Sequence, residues 1–219
     1  LAVSGTDVYV GGDFTTIGVE TRNRLAKIGT DGTLNAGWDP NANSTVFALA
    51  VSGTDVYVGG QFTTIGVETR NRLAKISTDG TLDASWNPNA NNIVYALAVS
   101  GTDVCVGGQF TTIGVETRNR LAKIGTDGVL DASWNPSASF TVNAIAVSSI
   151  YVHVGGSFTI IGGERQRYFA SFPTFTTTTW SSGAWSPGAP SSGVDAIING
   201  DYNTSTNGDI TASDLTVNS

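Results

Sequence analysis

The chain writes one sentence four times. "DVYVGGQFTTIGVETRNRLAKI" fills Asp55–Ile76, nearly the same string starts at Asp7 and at Asp103, and a divergent copy, "YVHVGGSFTIIGGERQRYFASF", fills Tyr151–Phe172. The longer frame is "LAVSGTDV" at Leu1, Leu49 and Leu97, followed by "IAVSSIYV" at Ile145, a period of 48 residues without a gap. Residues 1–48 and 49–96 differ at only eight positions. Units this alike must fold alike and must bury their apolar surface against one another.

Within a unit the pattern is that of short strands. "VYALAVS" (Val94–Ser100), "VCVGGQF" (Val104–Phe110), "RLAKIG" (Arg120–Gly125) and "VLDASW" (Val129–Trp134) are the strand candidates. "SGTD" and "TDG" turn the chain, because Asp-Gly accepts positive φ. "TTIGVETRN" reads as a polar loop, and Pro136 breaks any strand entering the next unit. No segment carries the i, i+3, i+4, i+7 apolar spacing of a helix. In "VYALAV" both alternating faces are apolar, with Val94, Ala96 and Ala98 on one and Tyr95, Leu97 and Val99 on the other. A strand apolar on both faces is buried on both.

Four short strands in a 48-residue period fit the blade of a β-propeller, which takes about 40–50 residues. The expected architecture is all-β: a β-propeller-like array of four blades over 1–175 (1–48, 49–96, 97–144, 145–175), then a Ser/Thr/Gly-rich linker and the start of a second β-rich module over 176–219. The fourth copy loses the "TDGTLDASWNPNAN" ending, and "FTTTTW" (Phe175–Trp180) is its candidate substitute outer strand. An opening in mid-repeat predicts a fragment of a larger propeller with blades upstream. The first blade then presents an open face and an unpaired edge.

The repeat elements "LAKI", "DGTLD", "SWNPNAN", "VYALAV" and "VGGQFT" resemble the delta-60 repeat, a β-propeller-type repeat of bacterial surface and secreted proteins. The tail, with "TW", "AIING", "YNT" and "LTVNS", resembles the opening of a β-rich module in large secreted proteins of gliding-type Gram-negative bacteria, many of them exported by type IX secretion. The resemblances imply an extracellular or cell-surface location and no catalytic assignment.

Charge narrows the partners. With 11 Lys and Arg against 18 Asp and Glu, the formal net charge is −7. A nucleic-acid binder needs a cationic surface that displaces counterions, so that partner is not expected, nor is an anionic membrane surface. No apolar run reaches the ~18 residues of a membrane-spanning helix. The single cysteine, Cys105, rules out an internal disulfide.

A catalytic centre needs residues that break the repeat. Cys105 and His153 do, but they share one strand column with Tyr9 and Tyr57, where packing is the expected role. Trp38, Trp86 and Trp134 recur in step and are read as blade packing rather than a sugar platform; Trp180 and Trp185 lie outside the repeat. Asp31, Asp79 and Asp127 belong to turns. "DPNANS" and its copies are oxygen-rich but lack calcium-loop spacing. No phosphate loop, G-x-S-x-G, H-E-x-x-H or C-x-x-C is present. No catalytic residue, metal ligand or cofactor is therefore assigned.

The most charged stretch of each unit is "VETRNR". Its candidate ligand-binding residues are Glu20 and Arg22, Glu68 and Arg70, and Glu116 and Arg118. They would form a ring able to hold a polar or anionic ligand, or simply fix each loop. The expected function is non-enzymatic: an extracellular scaffold or binding module taking glycan or protein through repeated loops. The alternatives are a propeller lyase or hydrolase of polysaccharide with its catalytic groups elsewhere, and a structural spacer. The oligomeric state has no signal in the sequence.

Overall fold

The computed structural model describes residues 1–173 and, as backbone, the strands Thr177–Ser181, Ala184–Ser186, Asp195–Asn199 and Leu215–Asn218. The described residues contain strands and turns and no helix, hence no helix long and apolar enough to cross a membrane.

Four blades follow one another. Each is a three-stranded antiparallel sheet in which the middle strand pairs with an inner and an outer one. The inner strands are Ala2–Ser4, Val46–Ser52, Val94–Ser100 and Val142–Val147. The middle strands are Asp7–Gly11, Asp55–Gly60, Asp103–Gly108 and Tyr151–Gly156. The outer strands are Leu25–Gly29, Leu73–Ser77, Leu121–Gly125 and Phe169–Pro173. Blade and sequence unit are out of phase, since the inner strand Val46–Ser52 crosses from the first 48-residue unit into the second.

Three sequence expectations change. The fourth strand shrinks to single bridges, Ile28–Leu34, Ile76–Leu82 and Ile124–Leu130. The Asp-Gly turn before each leaves one residue in reach before the Asn35, Asp83 or Asp131 side chain turns the chain away. "TTIGVETRN" is a hairpin rather than a loop: Thr16–Ile17 pairs with Glu20–Thr21, and the two following repeats copy it. The strand buried on both faces is the middle one. Val56, Tyr57, Val58, Gly59 and Gly60 are all buried, whereas much of the inner strand is half-buried.

Alternation on the middle strand explains the stacking. Val56 and Val58 face the preceding blade, in a core with Tyr9, Leu25, Trp38, Phe62 and Ile76. Tyr57 faces the following one, in a core with Trp86, Val104, Val106, Phe110 and Ile124. A third core between blades three and four gathers Cys105, Leu121, Val142, Val154 and Phe158. Each phenylalanine of the Phe62, Phe110, Phe158 column is fully buried, worth about 1.5–3 kcal/mol of transfer free energy. The glycine pair of "VGG" serves this packing. A Cβ on Gly59 would sit 2.6 Å from Val94 Cγ1 of the next blade, and one on Gly60 would strike the Thr45 carbonyl oxygen.

Side chains also stitch blade to blade. Lys27 Nζ donates to the Thr78 carbonyl and Lys75 Nζ to that of Thr126, each at 3.0 Å and 51 residues on. The same ammonium groups pair at home, Lys27 with Asp7 at 2.9 Å and Lys75 with Asp83 at 2.7 Å.

The two ends of the array are not covered as the internal faces are. Val8, Val10, Phe14 and Ile17 are half-buried where their counterparts in blades two to four are buried. Phe169 is 59% exposed, while Leu25, Leu73 and Leu121 in the same column are at 0%.

The contact pattern divides the chain into two units, one of Leu1–Ser148 with Val152–Phe172, the other of Ser149–Tyr151 with Pro173–Ser219. Phe175–Trp180, the candidate substitute outer strand of the fourth blade, overlaps Thr177–Ser181, which instead belongs to a four-stranded sheet of its own. Thr177–Ser181 pairs antiparallel with Ala184–Ser186 and in parallel with Asp195–Asn199, which pairs in parallel with Leu215–Asn218. The Trp180 and Trp185 side chains lie outside the described residues.

Candidate functional site

The "IGVE" segment carries the most exposed large apolar side chain of each of the first three blades. Ile17 pairs with Glu20, Ile65 with Glu68 and Ile113 with Glu116, so two residues make each turn. Gly18, Gly66 and Gly114 hold φ of 61°, 57° and 56° at the first turn position. Glycine there gives a turn whose twist matches the flanking strands. The second position carries valine. Val19, Val67 and Val115 are 97%, 95% and 95% exposed, beside exposed Glu and Thr residues. The fourth blade replaces the tip with Gly162 and Gly163 and keeps only an Ile161–Glu164 bridge.

The structure separates the six predicted ligand residues into two classes. Glu20, Glu68 and Glu116 lie exposed on the outward side of the hairpins. Arg22, Arg70 and Arg118 are buried, at 6%, 5% and 5% exposure. Their guanidinium groups serve the backbone: Arg70 donates from Nη1 to the Thr69 carbonyl at 2.7 Å and from Nη2 to that of Asp83 at 3.2 Å. Arg118 repeats this with Thr117 and Asp131. Arg22 uses Thr21, Asn35 and Ala36. Among the described residues no ion pair joins a Glu of this set to an Arg. The arginines brace the turn before each Trp.

The Trp column packs between blades. Trp38 and Trp86 are buried against Tyr9 and Tyr57, edge to face at 5.2 and 5.3 Å. Trp134 meets Phe172 instead, at 5.9 Å. Cys105 is fully buried in the third core, and burial pushes its thiol up to about 12. A nucleophile needs the thiolate, which this site suppresses. His153 stands on the other side of blade four, with Nδ1 2.8 Å from Ser171 Oγ and its ring stacked on Phe169. The two therefore do not form a Cys–His pair.

The sequence reading missed a second surface. The register of three inner strands shifts between Val46 and Ala48, Val94 and Ala96, and Val142 and Ala144. Such bulges leave one residue out of the ladder and re-aim its side chain. Here that residue is Phe47, Tyr95 or Asn143. Phe47 is 46% exposed and its ring lies 5.2 Å from that of Tyr95, tilted by 56°. At the same end of the inner strands, Asn92, Gln109, Arg120, Phe140 and Thr141 line a cavity of about 200 Å³. The available signal was the comparison of one repeat with the next, because these columns are among the few that change.

The repeats match a family model described as "Domain of unknown function (DUF5122) beta-propeller" at residues 8–37, 56–85 and 104–133. Among solved structures, the chain resembles the computationally designed Ika4 protein, with a TM-score of 0.52 and 16% identity over 78% of this chain and 88% of that one. The designed Ika8 protein gives a TM-score of 0.42 and 16% identity over 84% and 66% of the two chains. No curated protein matches. The chain thus carries a β-propeller-type repeat, and the Ika4 likeness bears on fold alone.

Proposed function

We propose that this β-propeller-type repeat array is a non-enzymatic binding scaffold that engages a protein partner through its three identical hairpin tips. One observation carries the reading: Val19, Val67 and Val115 are at least 95% exposed, at the same turn position of three blades. A valine side chain in water gains by being covered. Three of them at fixed spacing on a stitched core form a multivalent surface in which each Glu supplies the polar rim. The tips suit protein better than glycan, since valine offers no ring face for a sugar. An extracellular or cell-surface setting, and membership of the delta-60 type of repeat, rest on the sequence resemblances.

The test uses the full chain on an array of purified bacterial envelope proteins. Variants carry Val→Ser and Glu→Ala at one, two or three tips. Linked sites multiply, so apparent affinity should fall by about 10²–10⁴-fold as sites are lost. Retention unchanged in the triple-tip variant sinks the proposal.

A further inference from the structure

The geometry points to a second binding site, for a neutral saccharide chain, at the bulged end of the inner strands. The site is independent of the hairpin tips.

Near-identical repeats diverge at this end of the blades. Of the eight positions at which residues 1–48 and 49–96 differ, four are Asp13/Gln61, Ser44/Asn92, Thr45/Ile93 and Phe47/Tyr95. These columns meet in space, because the Gln61 backbone N–H donates to the Thr45 carbonyl and the Gln109 backbone N–H to that of Ile93. The third repeat changes there again, to Phe140, Thr141 and Asn143. The other four differences, Gly29/Ser77, Asn35/Asp83, Gly37/Ser85 and Asp39/Asn87, lie around the Trp turn. The Asn35 and Asp83 side chains accept the same backbone N–H of the following Trp. One group of changes thus preserves a structural role, and the other alters exposed chemistry at one end of the blades.

The chemistry at this end is aromatic and amide. Phe47 and Phe140 are 46% and 61% exposed, and Phe47 lies against Tyr95. Bulges lift Phe47 and Tyr95 out of the strand ladder, and the pair stays partly open to solvent. Beside Phe140 in the cavity lining stand the amides of Asn92 and Gln109. Asn92 uses its Oδ1 on the Ile93 N–H, leaving its amide NH₂ to donate outward. Gln109 and Asn143 add further amide groups, each both donor and acceptor.

Hydroxyl groups are likewise donor and acceptor, and the C–H face of a sugar ring is apolar. Ring faces flanked by side-chain amides match that combination. The cavity of about 200 Å³ is smaller than the ~300–1,000 Å³ pockets that enclose drug-sized ligands. It takes one ring, with the rest of the chain laid over Tyr95 and Phe47. Arg120 is the charged residue of its lining, and one Nη already donates to the Ala138 carbonyl. With a net charge of −7 on the chain, this favours an uncharged ligand over a polyanion.

The experiment is saturation-transfer NMR and calorimetry on the full chain. The probes are cellohexaose, mannohexaose, xylohexaose, laminarihexaose and chitohexaose at millimolar concentration. At least one is expected to bind. The double variants Phe47→Ala/Tyr95→Ala and Asn92→Ala/Gln109→Ala should each weaken it by at least tenfold, with thermal unfolding recorded to show both remain folded. The Val19→Ser/Val67→Ser/Val115→Ser variant should bind the sugar unchanged, which separates this site from the tips. No transfer from any of the five probes overturns the inference, as does binding that survives both double variants.

Discussion

The indole N–H of Trp38 donates to the carbonyl of Ser77, 3.1 Å away on the next blade. Trp86 repeats the bond to Gly125 at 3.0 Å. Each Trp also lies edge-on to the Tyr of its own blade. One side chain thus holds two sheets in register. Trp86→Phe keeps most of the apolar volume and removes one of two donors to the Gly125 carbonyl, which still accepts the Gly128 N–H at 2.9 Å, a loss of about 0.5–1.5 kcal/mol. Trp86→Ala adds a cavity and should cost about 3–5 kcal/mol. Urea unfolding of the two variants checks the order. Equal midpoints for the unsubstituted protein and Trp86→Phe would show that the bond contributes nothing.

Acid should loosen the same seam. Asp83 accepts from Lys75 at 2.7 Å and from Ser85, and these bonds, that from Lys75 foremost, hold its carboxyl well below the usual range. A depressed folded-state pKa stabilises above the unfolded value of about 3.9 and is lost as pH falls through the folded one. Melting temperature should therefore stay level down to about pH 4 and decline below it. In Asp83→Asn that decline should be shallower. An identical acid limb in both proteins would rule Asp83 out as a contributor.

Cys105 gives a clean probe of the third core. Its thiol, pushed up to about 12 by burial, should not react with a disulfide reagent at pH 8 in the native state. It should react at once in denaturant. Rapid native labelling would mean that blades three and four part readily.

Two glycines test different physics. A Cβ on Gly108 would run into the Ile93 carbonyl oxygen, a backbone atom with nowhere to go. Overpacking of this kind costs about 1–3 kcal/mol or more. Gly101 sits at φ 56° with open space around its Cβ position, so Gly101→Ala meets backbone strain alone, about 1–2 kcal/mol. Calorimetric melting should place Gly108→Ala below Gly101→Ala. Gly108→Ala should also disturb the Tyr95 end of the inner strand, visible as weaker sugar binding.

Much of the fold was legible because one packing problem is solved repeatedly. "TDG" announced its turns, the Val, Leu and Ile runs announced three strands of each blade, and the Trp column announced packing. What stayed hidden depends on register between segments far apart. Nothing in "VETRN" says that Arg70 turns inward to the Asp83 carbonyl, 13 residues on. Nothing in "VLDASW" says that only Leu130 reaches the sheet. A bulge at Tyr95 requires knowing that Val94 opposes Gly108 while Ala96 opposes Gly107. The exposed site is therefore the part that local pattern described least.

The stitch at Trp38 also sets a timetable for synthesis. Its partner Ser77 lies 39 residues further on, and that of Lys27 lies 51 residues on. On a ribosome, then, none of the first three blades finishes its own core. Each waits for the outer strand of its successor to emerge, and that arrival seals the blade behind while opening the next apolar face ahead. The advancing seam stays unfinished and moves toward the carboxyl end one repeat at a time.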